Sequence, residues 1–212
     1  MKSLLLNAKH WQLFVLLFIA PALLMLGAMA ILIPTITQHT ITNVNSIFEY
    51  FSYLPLLILP FILIQIAWHW YSLHLATEVL SPEFKPSFKR SKMALSYLIV
   101  YVCLYMLLFS FLTRHIQINP ITAENIATTL GIFFLMIPLH LLAVFCQCYT
   151  FYALAKSIKT IELNRKVTFS DYLGEFLLLW FFPVGIWILQ PKINAILKNR
   201  RTSIDATRNS LQ

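Results

Sequence analysis

The chain has 212 residues, of which 59% are apolar and 11% charged, with a formal net charge of +8 and a mean hydropathy of +0.74. A soluble domain carries about 25% charged residues, so this composition excludes a water-soluble enzyme of ordinary surface. Only 4 Gly and 3 Cys are present, with no CxxC spacing, which excludes collagen-like sequence and a disulfide framework.

In chain order, the first apolar run is Trp11 to Ile33, free of charge and long enough to cross about 30 Å of hydrocarbon, which takes ~20 helical residues. Lys2, Lys9 and the small-residue triplet Ala28-Met29-Ala30 also fit a signal peptide. The run exceeds the roughly 7 to 15 apolar residues of such a signal, so an uncleaved first helix is expected. The second run is Leu54 to His74, containing Pro55, Pro60, Gln65 and His69. The third is Ala94 to Leu112, with Cys103 and a stripe of Tyr97, Tyr101 and Tyr105 at four-residue spacing, read as packing surface. The fourth is Leu130 to Leu154, with Pro138, His140, Cys146, Gln147 and Cys148. None of these runs has a polar face at helical spacing, so core helices of a soluble protein are a poor reading and four transmembrane helices are expected. The prolines are expected to kink their helices, with neighbours satisfying the freed carbonyls.

The stretch 155–171 is a partly amphipathic cytoplasmic piece in which Ile158, Ile161 and Leu163 alternate with charges, and Thr168-Phe169-Ser170-Asp171 offers a capping box. A fifth, shorter segment, Tyr172 to Leu189, contains Glu175 and is interrupted by Pro183-Val184-Gly185. Gln190 to Lys198 reads as the start of a basic interfacial helix over 191–201, with Pro191 in its first turn and Ile193, Ile196 and Leu197 on one side. Residues 1–201 thus form one transmembrane domain, and 202–212 a flexible tail. The motifs after the second and fourth helices echo each other weakly (Leu75-Ala76 with Lys85, Leu154-Ala155 with Lys166), the pattern of a parallel repeat.

Orientation follows from the basic residues. With the N-terminus cytoplasmic, the loops at 75–93 and 155–171 are cytoplasmic and rich in Lys and Arg, while the loop at 34–53 has none and that at 113–129 has Arg114 alone. The tail adds Lys192, Lys198, Arg200, Arg201 and Arg208. If the fifth segment enters and returns, or lies in the interface, 15 of the 16 basic residues lie inside; if it spans the bilayer, the bias weakens. The re-entrant or interfacial arrangement is therefore preferred over a fifth span. Lys192, Lys198, Arg200 and Arg201 then rest on an anionic cytoplasmic leaflet, and nucleic-acid binding is not needed to explain the net charge.

Polar groups inside hydrocarbon are where a function would show. Gln65 and His140 are expected at a shared mid-membrane depth, within reach of each other if their helices touch, with His69 and Gln147 nearer the cytoplasm. Such contacts are most often interhelical glue. His69, His74 and His140 are the candidates for a haem, but His69 and His74 do not share a helical face, and no cofactor or metal is expected. No nucleotide-binding or hydrolase motif is present.

The stretch Lys156 to Glu175, continuing through Trp180-Phe-Phe-Pro-Val-Gly-Ile-Trp187 to Gln190-Pro-Lys-Ile-Asn194, together with the opening Lys9-His10-Trp11-Gln12-Leu13-Phe14, resembles a group of small bacterial inner-membrane proteins with no assigned function. The resemblance implies a multi-helix inner-membrane protein and transfers no catalytic residue. The leading expectation is a non-enzymatic membrane component or accessory subunit, with a protein partner or a second copy. A small oligomeric transporter or channel comes second, and a haem-binding or intramembrane enzyme third.

Overall fold

The computed structural model describes residues 2–38, 44–80, 83, 88–118 and 123–209, and among them it holds helices and no strand. The order is α1 (Lys2–Asn7), α2 (His10–Phe14), a π-helical turn (Val15–Ile19), α3 (Ala20–Gln38), α4 (Val44–Val79), α5 (Phe88–Ile118), α6 (Ala123–Leu163), α7 (Phe169–Trp180) and α8 (Phe182–Asn209). Among the described residues four stretches are long and apolar enough to cross a membrane: His10–Ile31, Pro55–Val79, Lys89–Arg114 and Phe134–Leu163. These correspond to the four expected runs.

The helices overrun the apolar runs that nucleate them. Once a turn exists, each further residue adds a hydrogen bond at little cost, so a helix continues until a residue stops it. Thus α6 has 41 residues, about 60 Å, and absorbs the stretch after Leu154 that reads as a separate surface piece. It stops at Asn164, whose φ of 48° is the left-handed conformation that commonly terminates helices. The π-turn joins α2 to α3 at a similar irregularity. Ala20 N–H reaches back five residues to the Val15 carbonyl, immediately before Pro21, which has no N–H to continue an ordinary ladder.

The fifth segment is not one straight helix. The chain breaks at Phe181 (φ −91°, ψ 55°), just before Pro183, which enters the first turn of α8 where its missing N–H costs nothing. With 12 residues, α7 is about 18 Å long, too short to cross a bilayer core alone. Beyond the break α8 turns back along α7, so that Lys192 stands beside Glu175 and a Cβ on Gly185 would overlap the Leu178 carbonyl. The short helix expected to start at Pro191 is therefore a correction: Pro191 lies inside α8, which begins at Phe182. The same helix runs to Asn209, so most of the stretch expected as a flexible tail is helical, while 210–212 lie outside the described residues.

The core gathers at one end of the bundle. It takes Leu5 and Leu6 of α1, Leu13 of α2, Trp68, Leu73 and Leu75 of α4, Leu95 and Leu98 of α5, Leu154 and Ile158 of α6, Leu179 of α7, and Ile186, Leu189 and Ile193 of α8. Leu13 and Leu17, from the segment expected to be a first helix, reach that core beside Leu5 and Leu6 of α1. Elsewhere α3, α5 and α6 turn large apolar side chains outward, among them Leu23, Leu26, Ile31, Leu107, Phe134, Leu135 and Phe145.

Candidate functional site

The polar side chains are concentrated in four places, three of them around the packed end. The first centres on Gln190, fully enclosed on α8. Its Oε1 accepts from Trp68 Nε1 at 2.8 Å, and its Nε2 donates to the carbonyls of Ala8 at 2.9 Å and of Leu5 and Leu6 at 3.3 Å. Asn194, one turn on, donates to the Ala8 carbonyl at 3.3 Å. The last carbonyls of a helix have no partner within it, so Gln190 and Asn194 serve as the C-terminal cap of α1 and tie both chain ends to α4. Around this point His10 and Phe14 pack on Trp187, and Phe18 and Trp68 pack on Phe182.

Beside it lies an ion network. Glu175, 7% exposed, accepts from Lys192 at 2.7 Å and from Lys159 at 3.5 Å. Glu162 accepts from the same lysines, at 2.9 Å from Lys159 and 3.3 Å from Lys192. Two carboxylates and two ammonium groups join α6, α7 and α8, and a carboxylate this enclosed is tolerable only because it is paired. At the start of α7, Asp171 accepts from the backbone N–H of the N-cap residue Thr168 at 2.8 Å and from both guanidinium nitrogens of Arg165, at 3.0 and 3.1 Å. The Arg165 hydrogen bonds, with those from Thr168, hold the Asp171 carboxyl at about 2, below the ordinary 3.8. The expected capping box is thereby formed on its carboxylate arm.

His69 lies inside the same end of the bundle. Its Nδ1 donates to the Gln65 carbonyl at 2.9 Å, and Phe151 and Phe182 flank the ring at 30° and 31° to its plane. A carbonyl only accepts, so Nδ1 carries the hydrogen and Nε2 is a bare lone pair, for which the described residues supply no partner. The three histidines considered for a haem stand apart: His69 in this ring cage, His74 against Glu78 at 3.2 Å, and His140 on α6 against Tyr101. Among the described residues no group of three or more His, Cys, Asp or Glu is placed to hold a metal ion.

The fourth place is the seam between α5 and α6. Tyr101 OH meets His140 Nδ1 at 2.6 Å and Tyr97 OH donates to the Leu139 carbonyl at 2.9 Å. Two of the three stripe tyrosines, Tyr97 and Tyr101, pack in the seam and bond α6 through their hydroxyls, while Tyr105 is exposed. Here the expected Gln65–His140 contact gives way to Tyr101–His140, because the helix that presents a hydroxyl to His140 is α5. Gln65 and Gln147 are half-buried and take part through their backbone carbonyls, which accept from His69 and Thr150. Of the basic residues expected on a membrane surface, Lys192 is committed to Glu175 and Glu162, Lys198 is exposed, and the side chains of Arg200 and Arg201 lie outside the described residues. Sequence reasoning missed Gln190 because the fifth apolar run ends at Leu189, one residue short of it. A polar residue between an apolar run and a proline was the available signal.

No known protein family, curated protein or solved structure matches the chain. The fold by itself defines the class: among the described residues it is almost entirely helical, with four helices long and apolar enough to cross a membrane.

Proposed function

We propose that the chain is a multi-pass membrane protein of a bacterial inner membrane, acting as a non-enzymatic component or accessory subunit of a larger membrane assembly. What carries this reading is how its polar side chains are used. Gln190, Asn194, Tyr97, Tyr101 and Glu175 each bond a neighbouring segment of the chain, while large apolar side chains face outward along α3, α5 and α6. That is the economy of a scaffold whose polar groups hold helices together in a medium without water. The positive-inside rule puts both termini and the packed end in the cytoplasmic half, with the α7–α8 hairpin entering from that side and returning. Lys198, Arg200 and Arg201 then lie against an anionic leaflet.

The test is native mass spectrometry of the protein from membranes washed with alkaline carbonate. The expected result is a carbonate-resistant chain carrying lipid and a stoichiometric protein partner. A chain released by carbonate overturns the membrane assignment, and turnover or a bound chromophore overturns the non-enzymatic one. A reporter fused to the C-terminus is expected on the cytoplasmic side; an extracytoplasmic signal overturns the re-entrant hairpin.

A further inference from the structure

The α5–α6 seam carries two polar groups that the intramolecular contacts do not use. Tyr101 is 8% exposed and fills the seam; among the described residues His140 Nδ1 is its hydroxyl's one hydrogen-bond partner. With Nδ1 as its one partner, the Tyr101 O–H donates to it, and the imidazole then carries its hydrogen on Nε2. His140 is an exposed residue, in company with the outward-facing Ile137, Leu141 and Leu142, and no described residue accepts from Nε2. One turn along α5, Tyr105 is 39% exposed, lies against Tyr101 with ring centroids 6.0 Å apart and the rings tilted by 31°, and has no hydrogen-bond partner for its hydroxyl among the described residues. Tyr101 sits midway between Lys89 and Arg114, which bound the apolar span of α5, so both groups lie far from either end of that span.

A lone N–H and a lone hydroxyl on an otherwise apolar helix face, remote from water and from lipid ester groups, favour association with another helix that offers them a partner. The two groups are complementary, because Nε2–H donates and the tyrosine oxygen accepts. They also lie on one patch, since Tyr101 touches both. A two-fold axis needs such self-complementarity: residue i of one copy meets residue j of the other, and j meets i. Tyrosines on a helix lean toward its N-terminus, which carries the Tyr105 hydroxyl toward the level of Tyr101 and His140. We infer that the α5–α6 face is the interface of a homodimer in the membrane, in which His140 Nε2–H of each copy donates to Tyr105 Oη of the other. This inference rests on the membrane reading above.

The experiment measures dimerisation of the full-length protein in liposomes by energy transfer between labelled copies, over a range of protein-to-lipid ratios. Wild type is expected to dimerise reversibly. Tyr105→Phe keeps the ring and leaves the Tyr101–His140 bond untouched, and it weakens the dimer about tenfold by removing both copies of the interchain bond. His140→Leu has an effect of the same size, and the double variant is no weaker than either single one, since both remove the same bonds. Leu23→Ala on α3 leaves the dimer as in wild type. A monomeric wild type, or a Tyr105→Phe protein that dimerises as tightly as wild type, overturns the inference. So does an apolar small molecule that co-purifies with a monomer and depends on His140. A chain stripped from membranes by carbonate fails the membrane reading; one that stays in the bilayer as a monomer fails only the dimer.

Discussion

The two ends of the helical bundle are built on different principles. At the end that holds the C-terminal halves of α4 and α6, apolar side chains bury one another, and polar ones reach far along the sequence, as Gln190 does to Leu5. At the opposite end, the C-terminal part of α3, the beginning of α4, the last turns of α5 and the first of α6 show Ile31, Ile33, Leu56, Leu107, Phe111 and Phe134 outward. One composition thus serves two environments, and the difference lies in whether the chain supplies its own neighbours. The packed end draws stability from specific contacts, whereas the open end leaves apolar surface for the hydrocarbon proposed around it. Substitutions should therefore cost much at the first and little at the second.

The largest effect is expected at Gly185. A methyl there overlaps the Leu178 backbone, which cannot move without opening the α7–α8 hairpin. Gly185→Ala should cost about 3 kcal/mol or more, read as a loss of thermal stability in detergent and new protease cleavage around Phe181. A variant as stable as wild type would remove the close crossing from the comparison. Next comes Gln190→Leu, which leaves Trp68 Nε1 and the α1 carbonyls unpaired and is expected to cost about 2–3 kcal/mol. Hydrogen exchange should then rise in residues 2–14 before it rises in α6, and uniform exchange would count against Gln190 as the cap of α1.

Smaller is Glu175→Gln, at about 1–2 kcal/mol, because the carboxamide loses the charge but keeps its size while Lys159 and Lys192 retain Glu162. Its destabilisation should shrink in Lys192→Met, and strict additivity would break the network into independent contacts. Asp171 gives a pH-dependent version of the same test. Its carboxyl is lowered from 3.8 to about 2 in the folded chain, so its contribution is full above 3.8 and falls away as pH drops toward 2. Arg165→Ala should remove much of that dependence, measured as the pH profile of the melting temperature; an unchanged profile would place the acid sensitivity elsewhere. Smallest is Leu26→Ala on the outward face of α3, expected within about 0.5 kcal/mol, and a large loss there would mean the open end is packed after all.

Much of the helix content was legible because each apolar run contains the information for its own helix. The four long helices needed only run length and the absence of charge, whereas the interruption expected at Pro183-Val184-Gly185 falls at Phe181, because the first turn of α8 accepts the proline. Helix ends were harder. Nothing in residues 155–163 forbids a helix, and continuation is favoured locally, so the overrun of α6 to Asn164 contradicted only the assumption that a helix ends where its hydrophobicity does. The candidate site was legible as residue types more than as pairs. His140 was visible as a polar group in an apolar run, and Tyr101 as part of a stripe, yet the run itself does not say which neighbouring helix will present a hydroxyl.

The sequence by itself determined the class of element, the long apolar helices found among the described residues and the asymmetric distribution of charge, because these depend on composition and on contacts within a few residues. Only the tertiary structure decided that Gln190 would cap α1, that Glu175 would take two lysines from different helices, and that His140 would meet Tyr101 of α5. Those outcomes depend on which helix faces meet. Apolar helices of this kind can pack on several sides at similar cost, so the choice rests on the few polar and small residues whose bonds and close contacts are met in one arrangement of the chain.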